Sequence, residues 1–481
     1  MSSPLPSYDE AAATVADYAA RLGRSKPPSE PLPLSLAAGR VLAQPLLADR
    51  DQPSFARSTR DGFACRASQA SAHRPLSIAG FTRAGEAPPR PLPPNAAWEI
   101  MTGAPVPPGA DAVVMLEHVE RTGNHVRLLP PRVIESGENI VAQGAQARQG
   151  DELLPAGTPV TYAQIALASA CGCGSLEVYV RPRVAILSTG DELVPVEASP
   201  APGQIRNSNS PMLAAMVAAA GGEPWILPTA ADDAGALDAA LAQAMKADLL
   251  LITGGVSAGK FDLVEPALAR IGARFRFTGV SIQPGKPLVF GDLPRSPAPL
   301  RALRASDKGV VSKGHDFSGR ISKGHDLSRS VLKGHDFSRA DKANKTSRAL
   351  APEGRSSRSP GSKNNLPFFG LPGNPVSSAV TFLLFAAPVL AALAGSRDPA
   401  PHFALARMAD KPSRHAKAGL TRFLPAACTF TAPAGKLPEV EFVAWQGSGD
   451  LAALARSNCF LVLPEEAHSL EPGSIVRILL P

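Results

Sequence analysis

"RVAILSTG", residues 183–190, and "DLLLITGG", residues 248–255, decide the fold of this 481-residue chain. Each is an unbroken apolar run that stops at glycine, the pattern of a strand buried on both faces of a parallel sheet. Between them lie "PMLAAMVAAAGG" (211–222), a helix pattern closed by glycine, and "ALDAALAQAMKA" (236–247), a second helix. "LPFFGLPG" (366–373) reads as a third strand, with a long apolar helix after it. Strand alternating with helix predicts a doubly wound α/β domain whose site lies outside the carboxyl ends of its strands.

The flanks differ in character. Residues 8–22 read as an alanine-rich helix, and "LSLAAGRVLAQPL" (34–46) as a second helical pattern. From 75 to 130, short β-like runs alternate with Pro/Gly turns, a compact β-rich module, and further short elements continue to about 180. The last stretch returns to short strands, "RFLPAACTF", "EVEFVAW", "CFLVLP" and "SIVRILL", which make a small β-barrel or sandwich.

Length alone suggests about three domains. The net charge of +7 invites a nucleic-acid reading, but residues 295–363 hold 16 Lys/Arg and 6 Asp/Glu, or +10, so the remainder carries 7 − 10 = −3. No polycationic face for a specific nucleic acid is therefore expected. Five cysteines, at 65, 171, 173, 428 and 459, are an odd number without zinc-ligand spacing, which predicts free thiols in a reducing compartment. The N-terminus shows no basic segment followed by an apolar one, so a cytoplasmic location is expected. The most apolar stretch, residues 379–394, contains Pro388 and is shorter than a membrane span of about 20 residues, so a buried helix is expected and no membrane partner.

Three glycine-rich loops sit where the fold rule places chemistry. In "LLLITGGVSAGKFD" (249–262), Gly254, Gly255 and Gly259 allow backbone N–H groups close to an anion, Ser257 adds a hydroxyl, and Asp262 offers a carboxylate to Mg²⁺. In "GLPGNPVSSAV" (370–380), Asn374 suits the cap and Pro375 the first position of a helix whose free N–H groups, with Ser377 and Ser378, make an anion site. "SIQPGKPLVFG" (281–291) fixes Lys286 in a Pro-Gly-Lys-Pro turn, as an ammonium that meets an oxyanion requires. "ILSTGDEL" (186–193) places Asp191 and Glu192 at a strand end, where they either bind Mg²⁺ or cap the following helix.

Eight blocks in order resemble the molybdopterin molybdenumtransferases, bacterial MoeA and the matching domain of gephyrin-type proteins. They are "AAGRVLAQPLLADRDQPSFARSTRDGFA", "EIMTGAPVPPGADAVVMLE", "RVAILSTGDELV", "GQIRNSNSPML", "ITGGVSAGKFDLVEPAL", "IQPGKPLVFG", "FFGLPGNPVSSAVTF" and "QGSGDLAALARSN". The resemblance implies the last step of molybdenum cofactor synthesis, in which adenylylated molybdopterin and molybdate give the metallated dithiolene and AMP with Mg²⁺. It implies a homodimer with sites built between subunits, fed by a molybdopterin adenylyltransferase and serving molybdoenzymes. The implied architecture is a multidomain α/β protein: a doubly wound MogA/MoaB-like α/β domain, β-rich N-terminal domains and a small C-terminal β-barrel. Domain I takes residues 1–45 and 150–180, domain II 46–149, domain III 181–395 and domain IV 396–481.

Carried over by position, Asp61 and Thr102 belong to domain II's contribution, Glu192 and Asp262 to the metal and pyrophosphate side, and Asp232 to a further family acid. Lys286, Pro287 and Ser377 form the molybdate pocket, Ser448 approaches from domain IV, and Arg422 supplies an arginine in a shifted register. Four departures stand out. The family's "SAMDGY" is "STRDGF", with Arg60 beside Asp61 and a phenol lost; its "GED" is Gly144-Ala145-Gln146; Lys260 stands where an acid is frequent; and "KPGKP" has become Gln283-Pro284-Gly285-Lys286-Pro287.

"SKGHDFSGRISKGHDLSRSVLKGHDFSRAD" (312–341) repeats Lys-Gly-His-Asp at a period of ten between two segments expected to be adjacent strands. Its composition, polar and poor in large apolar residues, predicts a disordered surface insertion at 300–364 rather than a metal site or an anionic-partner contact. Two other functions fit parts of the pattern: a molybdopterin adenylyltransferase, which is ordinarily a short single domain, and a non-catalytic gephyrin-like scaffold.

Overall fold

The computed structural model describes residues 5–71, 73–255, 263–295, 365–409, 419–431, 435–467 and 470–481. The three-fold repeat and its expected disorder, and the expected site residues Ser257, Gly259 and Asp262, lie outside the described residues.

The α/β sheet has six strands. In chain order they are β1 (Arg183–Ser188), β2 (Glu223–Ile226), β3 (Leu249–Thr253), β4 (Arg274–Thr278), β5 (Val289–Pro294) and β6 (Asn365–Leu371). Their spatial order is β2-β1-β3-β6-β5-β4, parallel from β2 to β6 and antiparallel beyond. The helices are α1 (Asn209–Ala219), α2 (Ala234–Ala244), α3 (Val264–Arg270), α4 (Pro375–Thr381) and α5 (Ala387–Leu393), with a π-helical turn at Phe382–Ala386 joining the last two. Leu249, Leu250, Leu251 and Ile252 are all fully buried, which explains the missing alternation: both sheet faces are covered. Each such side chain contributes about 2 kcal/mol over exposure. Two apolar cores result, one on each face. β5 and β6 pair directly, Pro294 opposite Asn365, and Phe290 stacks on Phe369 with ring centroids 4.5 Å apart.

The N-terminal helix, Tyr8–Gly23, begins with a capping box between Ser7 and Glu10. It lies on the α/β core rather than apart from it. Tyr8 meets the edges of Phe385 (6.2 Å) and Phe423 (5.4 Å), and Tyr18 that of Phe290 (5.2 Å). Residues Ser29–Pro33 then pair antiparallel with Ser175–Tyr179, and Leu46–Leu47 with Glu152–Leu154, so the chain departs near Ala48 and returns near Asp151. "LSLAAGRVLAQPL" is helical only over Leu34–Ala37. Gly39 at φ +73° ends the turn, and Val41 and Leu42 bridge to Pro159 and Val178. Local helix preference yields there to strand partners far along the chain.

The segment between carries a mixed six-stranded sheet, in spatial order Ala112–Met115, Gly62–Cys65, Ala96–Ile100, Leu76–Thr82, His125–Leu128 and Val119–Thr122. Glycine is required at 62, since a Cβ there would lie 1.8 Å from the Val114 carbonyl oxygen. At the C-terminus, Thr421–Thr429, Glu439–Phe442, Phe403–Met408, Ile475–Leu479 and Cys459–Leu463 pair in turn, and the last pairs back with the first. The result is a closed five-stranded barrel. Ile282–Gln283 adds a parallel edge to Thr421–Arg422, sewing the barrel to the α/β domain. Pro375–Leu393 is the one helix among the described residues long and apolar enough to cross a membrane, and 83% of it is buried inside the protein. It is a core helix.

Candidate active site

The carboxyl ends of β1, β3 and β6 form one rim. After β1, Thr189 donates its backbone N–H to the Thr253 carbonyl at 3.1 Å, so the β1 and β3 loops leave the sheet side by side. Gly190 has φ +143°, and a Cβ there would lie 2.5 Å from the Glu192 carboxylate, which curls back over it. Asp191 and Asp232 are knitted together: the Asp232 N–H donates to Asp191 Oδ1 at 3.0 Å, and the Asp191 N–H to Asp232 Oδ2 at 3.4 Å. Asp191, Glu192 and Asp232 are all exposed. Neither Asp191 nor Glu192 caps the next helix, since α1 begins at Asn209 without a side-chain cap.

Gly254 and Gly255 have φ +91° and +60°. A Cβ at Gly254 would lie 2.4 Å from the Thr189 carbonyl oxygen, and one at Gly255 2.8 Å from the Thr189 hydroxyl. Only glycine fits either place. The β6 loop lies against the β3 loop, with the Cβ position of Gly373 3.6 Å from the Gly254 Cα.

At the start of α4 the geometry departs from expectation. Asn374 occupies the N-cap position, but its side chain makes no cap bond and instead donates to the Ser448 hydroxyl at 2.8 Å. The Val376 N–H, expected to face an anion, donates to the Ser448 carbonyl at 3.0 Å. The Ser378 hydroxyl turns to the Pro372 carbonyl. Of the expected anion donors at this helix start, Ser377 remains, at 4% exposure; the barrel-side loop takes Asn374 and Val376, and the Pro372 carbonyl takes the Ser378 hydroxyl. The physical reason is the approach of Ser448 from the barrel domain, which offers acceptors before any ligand does. The resemblance places Ser448 near this helix, 74 positions away, but does not show that it takes the Asn374 and Val376 donors for itself.

The Lys286 turn is closed by the Val280 N–H donating to the Lys286 carbonyl at 2.9 Å. Gly285, at φ +115°, sits so close to α4 that a Cβ would lie 2.6 Å from the Thr381 side chain. Lys286 is exposed and Pro287 half-buried. Beside them, Arg422 is 7% exposed and donates from Nε to Gln283 Oε1 at 2.8 Å. The shifted-register arginine is therefore next to the turn after all, held by the glutamine that stands where the family has lysine.

Asp61 and Thr102 meet in the inserted domain. The Thr102 N–H donates to Asp61 Oδ1 at 2.6 Å and its hydroxyl to the same oxygen at 2.8 Å. The backbone bond, then the hydroxyl bond, hold the Asp61 carboxyl below its usual pKa. Within one chain, no hydrogen bond among the described residues joins this pair to the rim. Gln146, where the family carries an acid, has its N–H on the Gln52 carbonyl at 2.8 Å. All five cysteines are free.

Among the described residues no three His, Cys, Asp or Glu side chains form a metal cage. Mg²⁺ is a hard cation commonly held by one or two carboxylates together with substrate phosphates. Asp191, Glu192 and Asp232 supply hard oxygen donors of this kind. The rim thus offers backbone and hydroxyl donors, one lysine, one buried arginine and a group of carboxylates.

The fold and the rim together define a multidomain protein around a molybdopterin-binding type of α/β domain. Family profiles agree along the chain: the MoeA N-terminal region (domains I and II) over residues 6–172, a probable molybdopterin binding domain over 185–392, and the MoeA C-terminal region (domain IV) over 409–480. The molybdopterin molybdenumtransferase of Bacillus subtilis is 31% identical over 92% of this chain and 87% of its own length. That of Haemophilus influenzae is 29% identical over 94% and 93%. A crystal structure of the molybdopterin biosynthesis MoeA protein from Pyrococcus horikoshii superposes with a TM-score of 0.67 at 25% identity, covering 99% of this chain and 100% of that one. The chain belongs to the molybdopterin molybdenumtransferase family.

Proposed function

We propose that this transferase inserts molybdenum from molybdate into adenylylated molybdopterin and releases AMP. The observation that carries the reading is the convergence at one sheet rim of what two anionic substrates need. Gly254 and Gly255, packed against Thr189, form the turn we assign to the pyrophosphate, and Lys286, Pro287, Ser377, Ser448 and Arg422 lie on segments that meet where the α/β domain joins the barrel. Gly259, Ser257 and Asp262 extend the pyrophosphate loop, and Asn374 fixes Ser448.

In this reading Lys286 and Arg422 offset the charge of the oxometalate, and the Ser377 and Ser448 hydroxyls orient its oxygens. Asp191, Glu192 and Asp262, with Asp232 alongside, hold Mg²⁺ on the pyrophosphate. The ion supplies electrostatic stabilisation of the charge that develops on the departing phosphate. Asp61, kept ionised by Thr102, offers a carboxylate from a second subunit, so the active form is a homodimer. The division at 1–45 with 150–180, 46–149, 181–395 and 396–481 stands as our domain assignment, and free thiols support a cytoplasmic location. An adenylyltransferase supplies the substrate and molybdoenzymes take the product.

The test is AMP release and cofactor formation from adenylylated molybdopterin, titrating molybdate and Mg²⁺. Adenylylation of molybdopterin by ATP, with no molybdenum insertion, would reassign the chain to the preceding step. Cofactor production in cells that is indifferent to Lys286→Ala would favour a scaffold.

A further inference from the structure

Among the described residues, two polar atoms at the rim are buried with no hydrogen-bond partner: the Thr189 hydroxyl oxygen and the Asn209 amide oxygen Oδ1. Thr189 is 5% exposed. Native proteins leave few buried groups in this state, because each has given up its hydrogen bonds to water. Both are anchored to one residue. The Thr189 N–H donates to the Thr253 carbonyl at 3.1 Å, and Asn209 Nδ2 donates to the Thr253 hydroxyl at 2.9 Å. Nδ2 also donates to the Gly373 carbonyl at 2.6 Å.

Asn209, the first residue of α1, thus ties the crossover from β1 to the ends of β3 and β6. Those two bonds fix its orientation. Flipping the amide would set an oxygen against the Gly373 carbonyl, so Oδ1 remains an acceptor. A fixed carbonyl oxygen disfavours phosphate and molybdate and calls for an N–H donor. Thr189 can donate or accept, and the absence of a Cβ at Gly255, 2.8 Å from its hydroxyl, keeps the approach open.

We infer that Thr189 Oγ1 and Asn209 Oδ1 bind the N–H-bearing edge of a heteroaromatic ring of the substrate, pterin or adenine, beside the Gly254–Gly255 turn. The inference rests on the proposed reaction, whose substrate carries both rings. Asn209 is also a positioning residue, through the loops it joins.

Thr189→Val keeps the branched shape and the backbone anchor and removes only an unpaired hydroxyl. If that hydroxyl were merely structural, the variant would melt at the same or a higher temperature with KM unchanged. The subsite requires instead that KM for adenylylated molybdopterin rise about tenfold, one neutral hydrogen bond's worth, with kcat and melting temperature held. Thr189→Ser should restore KM, and Asn209→Ala should raise KM while lowering the melting temperature. Titration with AMP alone separates the rings: weakened AMP binding in Thr189→Val assigns adenine, and unchanged AMP binding with raised KM assigns the pterin. Unchanged KM and unchanged AMP binding would overturn the subsite. If the wild-type protein releases no AMP, the proposed reaction fails, and the subsite is then judged by titrating molybdopterin and AMP separately.

Discussion

Arg422 and Gln283, 139 positions apart, are joined by a hydrogen bond of 2.8 Å from the guanidinium Nε to the side-chain amide oxygen. They face each other across a parallel pairing of the edge strand with the barrel. A lysine in place of Gln283 would set a second cation beside the buried Arg422 guanidinium; the glutamine turns repulsion into a bond. Gln283→Glu goes further and neutralises Arg422. The expected outcome is a raised KM for molybdate with thermal stability held or increased, checked by molybdate titration and calorimetry. An unchanged KM would remove Arg422 from the molybdate site.

Thr102→Val deletes the hydroxyl bond to Asp61 and leaves the backbone bond. The Asp61 pKa should rise toward its ordinary value, as an NMR titration of its carboxyl would follow. The sign is fixed by linkage: a carboxyl held below its unfolded pKa stabilises the fold above that value, and the contribution is lost as pH falls through the folded pKa. The variant's acid limb should therefore begin at higher pH than the wild type's.

Asp292 is fully buried between Arg276 at 2.9 Å and Asn365 at 2.7 Å. Asp292→Ala removes the acceptor from both. Stability should fall by about 3 kcal/mol, the low end for a broken buried pair because Arg276 keeps some solvent. Urea unfolding measures it, and KM for molybdate should not move, since Asp292 pairs with Pro367, back along β6 from the rim.

Deleting residues 300–364 should leave fold and activity intact. Pro294 already faces Asn365 in the ladder, and the side chain of Arg295 is held by the Met245 and Ala247 carbonyls. Residues 295–299 then close a hairpin of ordinary length. Loss of AMP release in a soluble, folded deletion protein would give the repeats a functional role.

Much of this was legible in the chain itself, for a physical reason. A central parallel strand must be apolar on both faces, so Leu249–Thr253 announces itself, and positive-φ turns leave glycines where backbones meet. The inserted β domain and the barrel strands showed through their short runs and turns. Three kinds of feature did not show. The "LSLAAGRVLAQPL" segment has helical local preference, and only its distant partners at Pro159 and Val178 make it extended. Side-chain destinations such as Asn374 to Ser448 depend on how two domains dock. Thr189 and Asn209 leave a signal only as unpaired atoms, and pairing is a property of three dimensions. The eight ordered blocks carried the family because they record all these contacts at once.

Tyr8 touches Phe385 and Phe423, so its helix finishes its packing against a helical turn and a barrel strand made some four hundred residues later. A nascent chain must keep that helix's apolar stripe shielded until the barrel strand carrying Phe423 has been made. Synthesis cut short before the barrel would leave the stripe bare, which makes truncated products targets for chaperones and proteases rather than partly working enzymes.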